Sequence, residues 1–202
     1  MSRLHTSFVL GYHGCLRIPG EKILSGNSFF EPSENAYDWL GPGVYFWESD
    51  PDRAWEWAHN KVARKSCGDP FVVGAIIDLG NCLDLMAQDN LKLVKYAYES
   101  LKATHAADPT LGALPVNAAS GKGDGDMLLR RLDCAALQHL HVGLESAGEP
   151  PFDTVRGLFT EGGPLYPGSG FQAKTHIQIA VRTLTNIKGV FRVESPPHRP
   201  RS

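Results

Sequence analysis

Apolar and polar positions along this chain fall into two rhythms, one of short continuous runs and one of helical period. Thr6 to His13 is an apolar run with β-branched and aromatic members, closed by Gly14, which predicts a buried strand. A short helix is expected over 21–24, and Val44 to Trp47 reads as a second strand. Ser49 or Asp50 as N-cap, Pro51 in the first turn and Gly68 past the end bracket a helix. At about 100° per residue, Ala54, Trp55, Ala58 and Val62 form its core stripe, with Arg53, Glu56 and Trp57 on a flank. Phe71 to Leu79 is nearly all apolar and rich in Val and Ile, the mark of a strand covered on both faces.

Helical period returns in 89–104, with apolar positions 91, 94, 97, 98 and 101, and in 126–140, with 128, 129, 132, 136 and 137. Thr175 to Val181 then alternates as a strand, and Val190 to Val193 closes the pattern with another. Between these elements lie segments 26–41, 106–125 and 159–172, rich in Gly, Pro, Ser and Asn. Loops of that length in a compact domain are functional or lack order, and the aromatic residues of the first mark it as functional. Strands first, helices in the middle and strands last predict an α+β domain built on antiparallel sheets.

Composition narrows the picture only slightly. The 202 residues suffice for one sizeable core, and a net charge of -2 offers no general attraction for nucleic acid or anionic membrane. The four cysteines, Cys15, Cys67, Cys82 and Cys134, form no C-x-x-C pair and read as reduced thiols. With neither a signal-peptide core nor an apolar run of membrane length, a soluble cytoplasmic protein is expected, ending in a frayed tail over 195–202. No metal is expected: His139 and His141 point to different helix faces, and His59 and His176 lack partners at ligand spacing. Gly121-Lys-Gly-Asp-Gly125 has neither the preceding strand nor the closing Lys-Ser/Thr of a phosphate loop, so it reads as a flexible loop.

The chemistry concentrates in two motifs. Tyr12-His13-Gly14 and Gly41-Pro-Gly43-Val44-Tyr45-Phe46 place His13 and Tyr45 at neighbouring strand ends, facing one cleft, with Gly14 and Gly43 allowing close approach. Either residue alone is more often structural; together they point to a dinucleotide site. With Ile23-Leu24-Ser25-Gly26, Ala54 on the following helix and Gly74-Ala-Ile-Ile-Asp-Leu-Gly80-Asn81, the order and spacing resemble the poly(ADP-ribose) polymerase branch of the diphtheria-toxin-like, H-Y-E type ADP-ribosyltransferases. The resemblance covers 7–85 and 173–193. It implies one catalytic domain over 1–194, split antiparallel sheets forming an NAD+ cleft, flanking helices, and a helical insertion over about 86–150.

By that resemblance NAD+ is the co-substrate. His13 would bond the adenosine ribose, the Gly14 backbone would hold the nicotinamide carboxamide, and Tyr45 would stack on the nicotinamide ring, with Gly43 beside it. A second stacking aromatic falls on Glu56 by strict alignment; Trp57, on the same flank, is preferred. Arg53 stands where the family has a carboxamide-binding serine and could instead meet the pyrophosphate. The loop over 27–39 would fold over the ligand with Tyr37 or Trp39 as a clamp, and Arg156 and Lys174 would reach phosphates or target.

The largest departure is Gln178, which stands where the family has its catalytic glutamate. The amide keeps a hydrogen bond to the ribose but loses the charge, and charge-assisted bonds are roughly twice as strong. Chain elongation is therefore not expected, while mono-transfer is, with Glu161 in the preceding loop as a substitute acid. The resemblance implies a mono-ADP-ribosyltransferase acting on a macromolecule, protein or nucleic acid. A bacterial toxin or defence effector, with a cognate antitoxin or immunity protein, fits the small size. A catalytically inactive NAD+ or ADP-ribose binding module and an NAD+ glycohydrolase stay open as alternatives.

Overall fold

The computed structural model describes residues 8–119 and 127–195; the Gly121–Gly125 loop and the tail beyond residue 195 lie outside them. The elements are β1 (Phe8–Leu16), α1 (Arg17–Leu24), β2 (Val44–Glu48), α2 (Pro51–Lys65), β3 (Pro70–Asp78), β4 (Cys82–Asp84), α3 (Gln88–Ala107), β5 (Asn117–Ala118), β6 (Leu129–Arg130), α4 (Arg131–Ser146), β7 (Thr154–Phe159), β8 (His176–Val181) and β9 (Ile187–Arg192). The fold is α+β. One mostly antiparallel seven-stranded sheet runs β4-β7-β8-β2-β1-β3-β9, with only β4 and β7 parallel, and β5 pairs with β6 apart from it.

The expected split into separate sheets takes a different form. β1 and β3 pair along nine residues, whereas β1 and β2 pair only at Gly11↔Glu48 and Tyr12↔Trp47. The sheet is therefore continuous but narrowly joined at its centre, and His13 lies just past the last pair. β1 also runs three residues further than the alternation suggested. Gly14 does not end it but pairs with Val72, and glycine suits the position because a side chain there would press on the Ala54 carbonyl of α2.

Local signals account for the helices. In α2 the Asp50 side chain accepts from the Arg53 amide, Pro51 fills the first turn and Ser66 closes the helix in the left-handed region, so Asp50 rather than Ser49 is the cap. Helix α1 begins at Arg17, earlier than expected. It tolerates Pro19 because first-turn amides have no helical partner, and Gly20 because Phe71 occupies the space of a side chain.

Alternation along the strands sorts the core onto two faces. Val44, Phe46, Ile179, Val181, Val73, Ala75 and Ile77 gather on one, where Ile23 and Leu24 of α1 and Phe30 of the long loop cover them. The other face is covered at one end by α2, through Ala54 and Trp55 against Trp47 and Val72. At the other end Ala97 of α3 and Leu137 and Leu140 of α4 pack on Leu83, Val155, Phe159 and Ala180. The helices of segment 86–150 are thus part of the core. Each fully buried Ile, Leu or Phe here stabilises the fold by roughly 1.5–3 kcal/mol.

Strand β7 is not evident in the sequence. Arg156 and Gly157 interrupt its apolar run, and the guanidinium is satisfied by Glu48 (2.9 Å) and Asp84 (3.0 Å), both remote in sequence.

Candidate functional site

Where β1 and β2 part, His13 bridges the gap. Its Nδ1 donates to the Tyr45 carbonyl oxygen at 2.8 Å, and its ring meets Phe30 edge-on and lies tilted against Phe46. Burial, only partly opposed by the Tyr45 carbonyl and helped by the charge of Lys61, lowers the imidazole pKa to about 4. The ring is neutral at pH 7. Since a carbonyl only accepts, the proton sits on Nδ1 and Nε2 presents a bare lone pair suited to a hydroxyl donor.

Tyr45 is joined to His13 through its backbone, not its ring. The two side chains therefore do not face one cleft as expected: strand alternation sends the Tyr45 ring to the opposite face of the sheet from the His13 ring, into the cluster of Leu40, Val155 and Ala180. The Tyr45 hydroxyl accepts from the Leu40 amide (2.8 Å) and donates to the Gly41 carbonyl (2.7 Å); burial raises the phenol pKa well above its ordinary value, against the Leu40 amide, which lowers it. With both hydroxyl bonds taken by the loop backbone, the ring is held rigidly in place. Gly43 anchors the same loop by pairing with Ser33, and a side chain on it would strike the Val181 carbonyl.

Gly14 and Trp57 lie side by side. A Cβ on Gly14 would come within 3.1 Å of the Trp57 ring, which also lies against Trp47 and carries Lys61 over its face. Glu56 turns instead to Lys174 (2.7 Å) and to Arg53. Burial pushes its carboxyl pKa up, but these two cations outweigh that and hold it below the ordinary value.

Arg53 is the centre of a polar network on the face that carries Trp47 and Gln178. Besides Glu56 it reaches Glu161 at 3.5 Å, Glu161 stands 3.7 Å from His176 Nε2, and that nitrogen is 3.0 Å from the Gln178 amide nitrogen. Gln178 is in register with Trp47 on β2 and Gly157 on β7. Arg53 and Lys174, read from the sequence as candidate phosphate contacts, are committed to carboxylates, and Arg156 is held by Glu48 and Asp84. Glu161 does come into the Gln178 neighbourhood, through His176.

His176 was missed in the sequence as a site residue, although strand period places it with Gln178 on one face of β8. Of the two clamp candidates, Trp39 stacks on His176 at 27° and 6.3 Å, with the Arg130 guanidinium over its ring, whereas Tyr37 stays exposed. Trp47 adds a buried indole N–H with no partner among the described residues. Two surface cavities, one lined by Ala97, Ser100 and His139 and one by Leu16, Pro19 and Gly68, include none of these residues and assemble no comparable chemistry.

Among the described residues no three His, Cys, Asp or Glu side chains could share a metal ion, and no helix is long and apolar enough to cross a membrane. No known family, curated protein or solved structure matches the chain.

Proposed function

We propose that the chain is a mono-ADP-ribosyltransferase that cleaves NAD+ and passes ADP-ribose to a macromolecular acceptor. The observation that carries this reading is the neutral His13 spanning the parted strands, next to a buried Gly14 packed under Ala54 and Trp57 of α2. His13 Nε2 would accept a ribose hydroxyl from one face of the gap, the Gly14 backbone would take the nicotinamide carboxamide, and Trp57 and Tyr45 would supply ring surface from the other face. Breaking the glycosidic bond sends its electron pair to the nicotinamide nitrogen and leaves positive charge on the ribosyl carbon. Preoriented dipoles stabilise such charge in a site that excludes water, and Gln178 with the Arg53–Glu161–His176 network behind it would provide them. The acceptor's nucleophile then forms the new bond and gives up its proton.

The amide at 178 favours a second reading, an NAD+ binding module without turnover. Full-length protein with NAD+ labelled in the adenylate portion and cell extract separates the two. Release of nicotinamide with label on a macromolecule supports transfer, and protease, DNase and RNase digestion then identify the acceptor class. Retained NAD+ without nicotinamide release overturns it in favour of the module, and free ADP-ribose alone would make water the acceptor.

A further inference from the structure

The side chain of His176 is entirely shielded from solvent, and its Nδ1 lies 2.7 Å from the Lys174 carbonyl oxygen. That oxygen only accepts, so Nδ1 carries the proton. Burial lowers the imidazole pKa, the Lys174 carbonyl raises it, Arg53 lowers it, and Asp50 and Glu56 raise it, with a net shift downward. Glu161 faces the same ring at 3.7 Å and is itself held by Arg53. The ring is neutral at pH 7, and its Nε2 is an acceptor.

This acceptor decides how Gln178 is turned. An amide has one donating and one accepting prong, and only the nitrogen prong can satisfy a bare lone pair at 3.0 Å. Oε1 is then the prong turned away. Gln178 as a whole is half-buried. Trp39, stacked at 27°, and Phe159, at 6.0 Å, hold the imidazole plane in place.

We infer that His176 is a positioning residue that locks the Gln178 amide with its oxygen turned to the proposed cleft, and that protonating His176 reverses the amide by making Nε2 a donor toward Glu161. The inference rests on the reading of the chain as an NAD+-cleaving enzyme. A glutamate has two equivalent oxygens and needs no such lock. A glutamine needs one, because half of its orientations would aim N–H groups at the ribosyl carbon as it becomes positive.

Two measurements on the full chain test this. With 15N-labelled glutamine and histidine, NMR at pH 7.5 should show a scalar coupling between Gln178 Nε2 and His176 Nε2 and the Nδ1–H tautomer, both lost on acidification. An Nε2–H tautomer, or a Gln178 amide not coupled to His176, overturns the lock. In kinetics of NAD+ cleavage, His176→Leu should lower kcat about tenfold with little change in KM, and His176→Gln, which restores an acceptor, should recover most of it. In a Gln178→Glu background the same His176→Leu change should cost little, since both carboxylate oxygens accept. Equal losses in the two backgrounds overturn the inference. Absence of nicotinamide release from the unmodified protein would instead remove the enzyme reading, while the coupling and tautomer still decide the lock.

Discussion

His13 Nδ1 and the Tyr45 carbonyl oxygen are 2.8 Å apart across the one place in the sheet where neighbouring strands pair over only two residues. The side chain thus does for β1 and β2 what the missing ladder bonds would have done. His13→Asn keeps a donor near that carbonyl, while His13→Ala removes it and opens space between Phe30 and Phe46. Urea denaturation should show the alanine variant less stable by at least about 1 kcal/mol and the asparagine variant close to the parent. Both lose the Nε2 lone pair, so both should lose the rise in Tm on adding NAD+. An asparagine variant with the full NAD+ shift would show that Nε2 is not a ligand contact.

Tyr45→Phe separates the hydroxyl from the ring. The change leaves the Leu40 amide and the Gly41 carbonyl without their partner, at a cost of about 1–3 kcal/mol in thermal or urea unfolding. Because the ring remains, nicotinamide release per folded molecule should stay within about twofold, whereas Tyr45→Ala should abolish it. A large loss of turnover in a still-folded phenylalanine variant would give the hydroxyl a chemical role that its two backbone bonds argue against.

How far such features can be seen before the fold depends on the range of the force behind them. The Asp50 cap, Pro51 and the Ala54, Trp55 and Ala58 stripe act within one helix, and they are legible residue by residue. Gly14 is misread as a strand end because its reason lies in another element, the α2 backbone above it. Strand β7 is hidden because Arg156 is balanced by carboxylates 108 and 72 residues away. His176 lies between these extremes: the two-residue strand period pairs it with Gln178, but its link to Glu161 depends on how the 159–175 segment folds back, with Lys174 N–H bonded to the Glu161 carbonyl.

Acid should destabilise the protein in a defined window. His13 and His141 titrate in the folded state near 4 and His176 is shifted the same way, against about 6.5 in the unfolded chain. The unfolded chain therefore binds more protons between those values. Stability is fully present above pH 6.5 and declines as pH falls toward 4. For His141, which is 4 % exposed with a buried Nε2 lacking a partner among the described residues, the loss is on the order of 3 kcal/mol. Unfolding free energies measured from pH 8 to pH 4 should slope downward, and His141→Leu should flatten part of that slope. An unchanged slope would mean that His141 accepts protons in the folded state without cost.

Gly14→Ala tests whether the side-chain-free backbone packed under Ala54 and Trp57 is a ligand contact or only a packing contact. The added Cβ would stand 2.5 Å from the Ala54 carbonyl and 3.1 Å from the Trp57 ring. The backbone of α2 cannot retreat cheaply, because Asp50 caps it and Ala54 and Ala58 are fully buried. Overpacking of this kind costs about 1–3 kcal/mol. Gly11→Ala is the matched control: its Cβ would meet Ile77 and Phe46 side-chain atoms at 2.5 and 2.8 Å on the opposite face, away from α2. Both variants should unfold at lower urea concentration. Only Gly14→Ala should displace Trp57, changing tryptophan fluorescence and weakening NAD+ binding about tenfold or more in titrations below the unfolding transition. If the two variants bind NAD+ equally well, Gly14 serves strand–helix packing alone and the nicotinamide contact lies elsewhere.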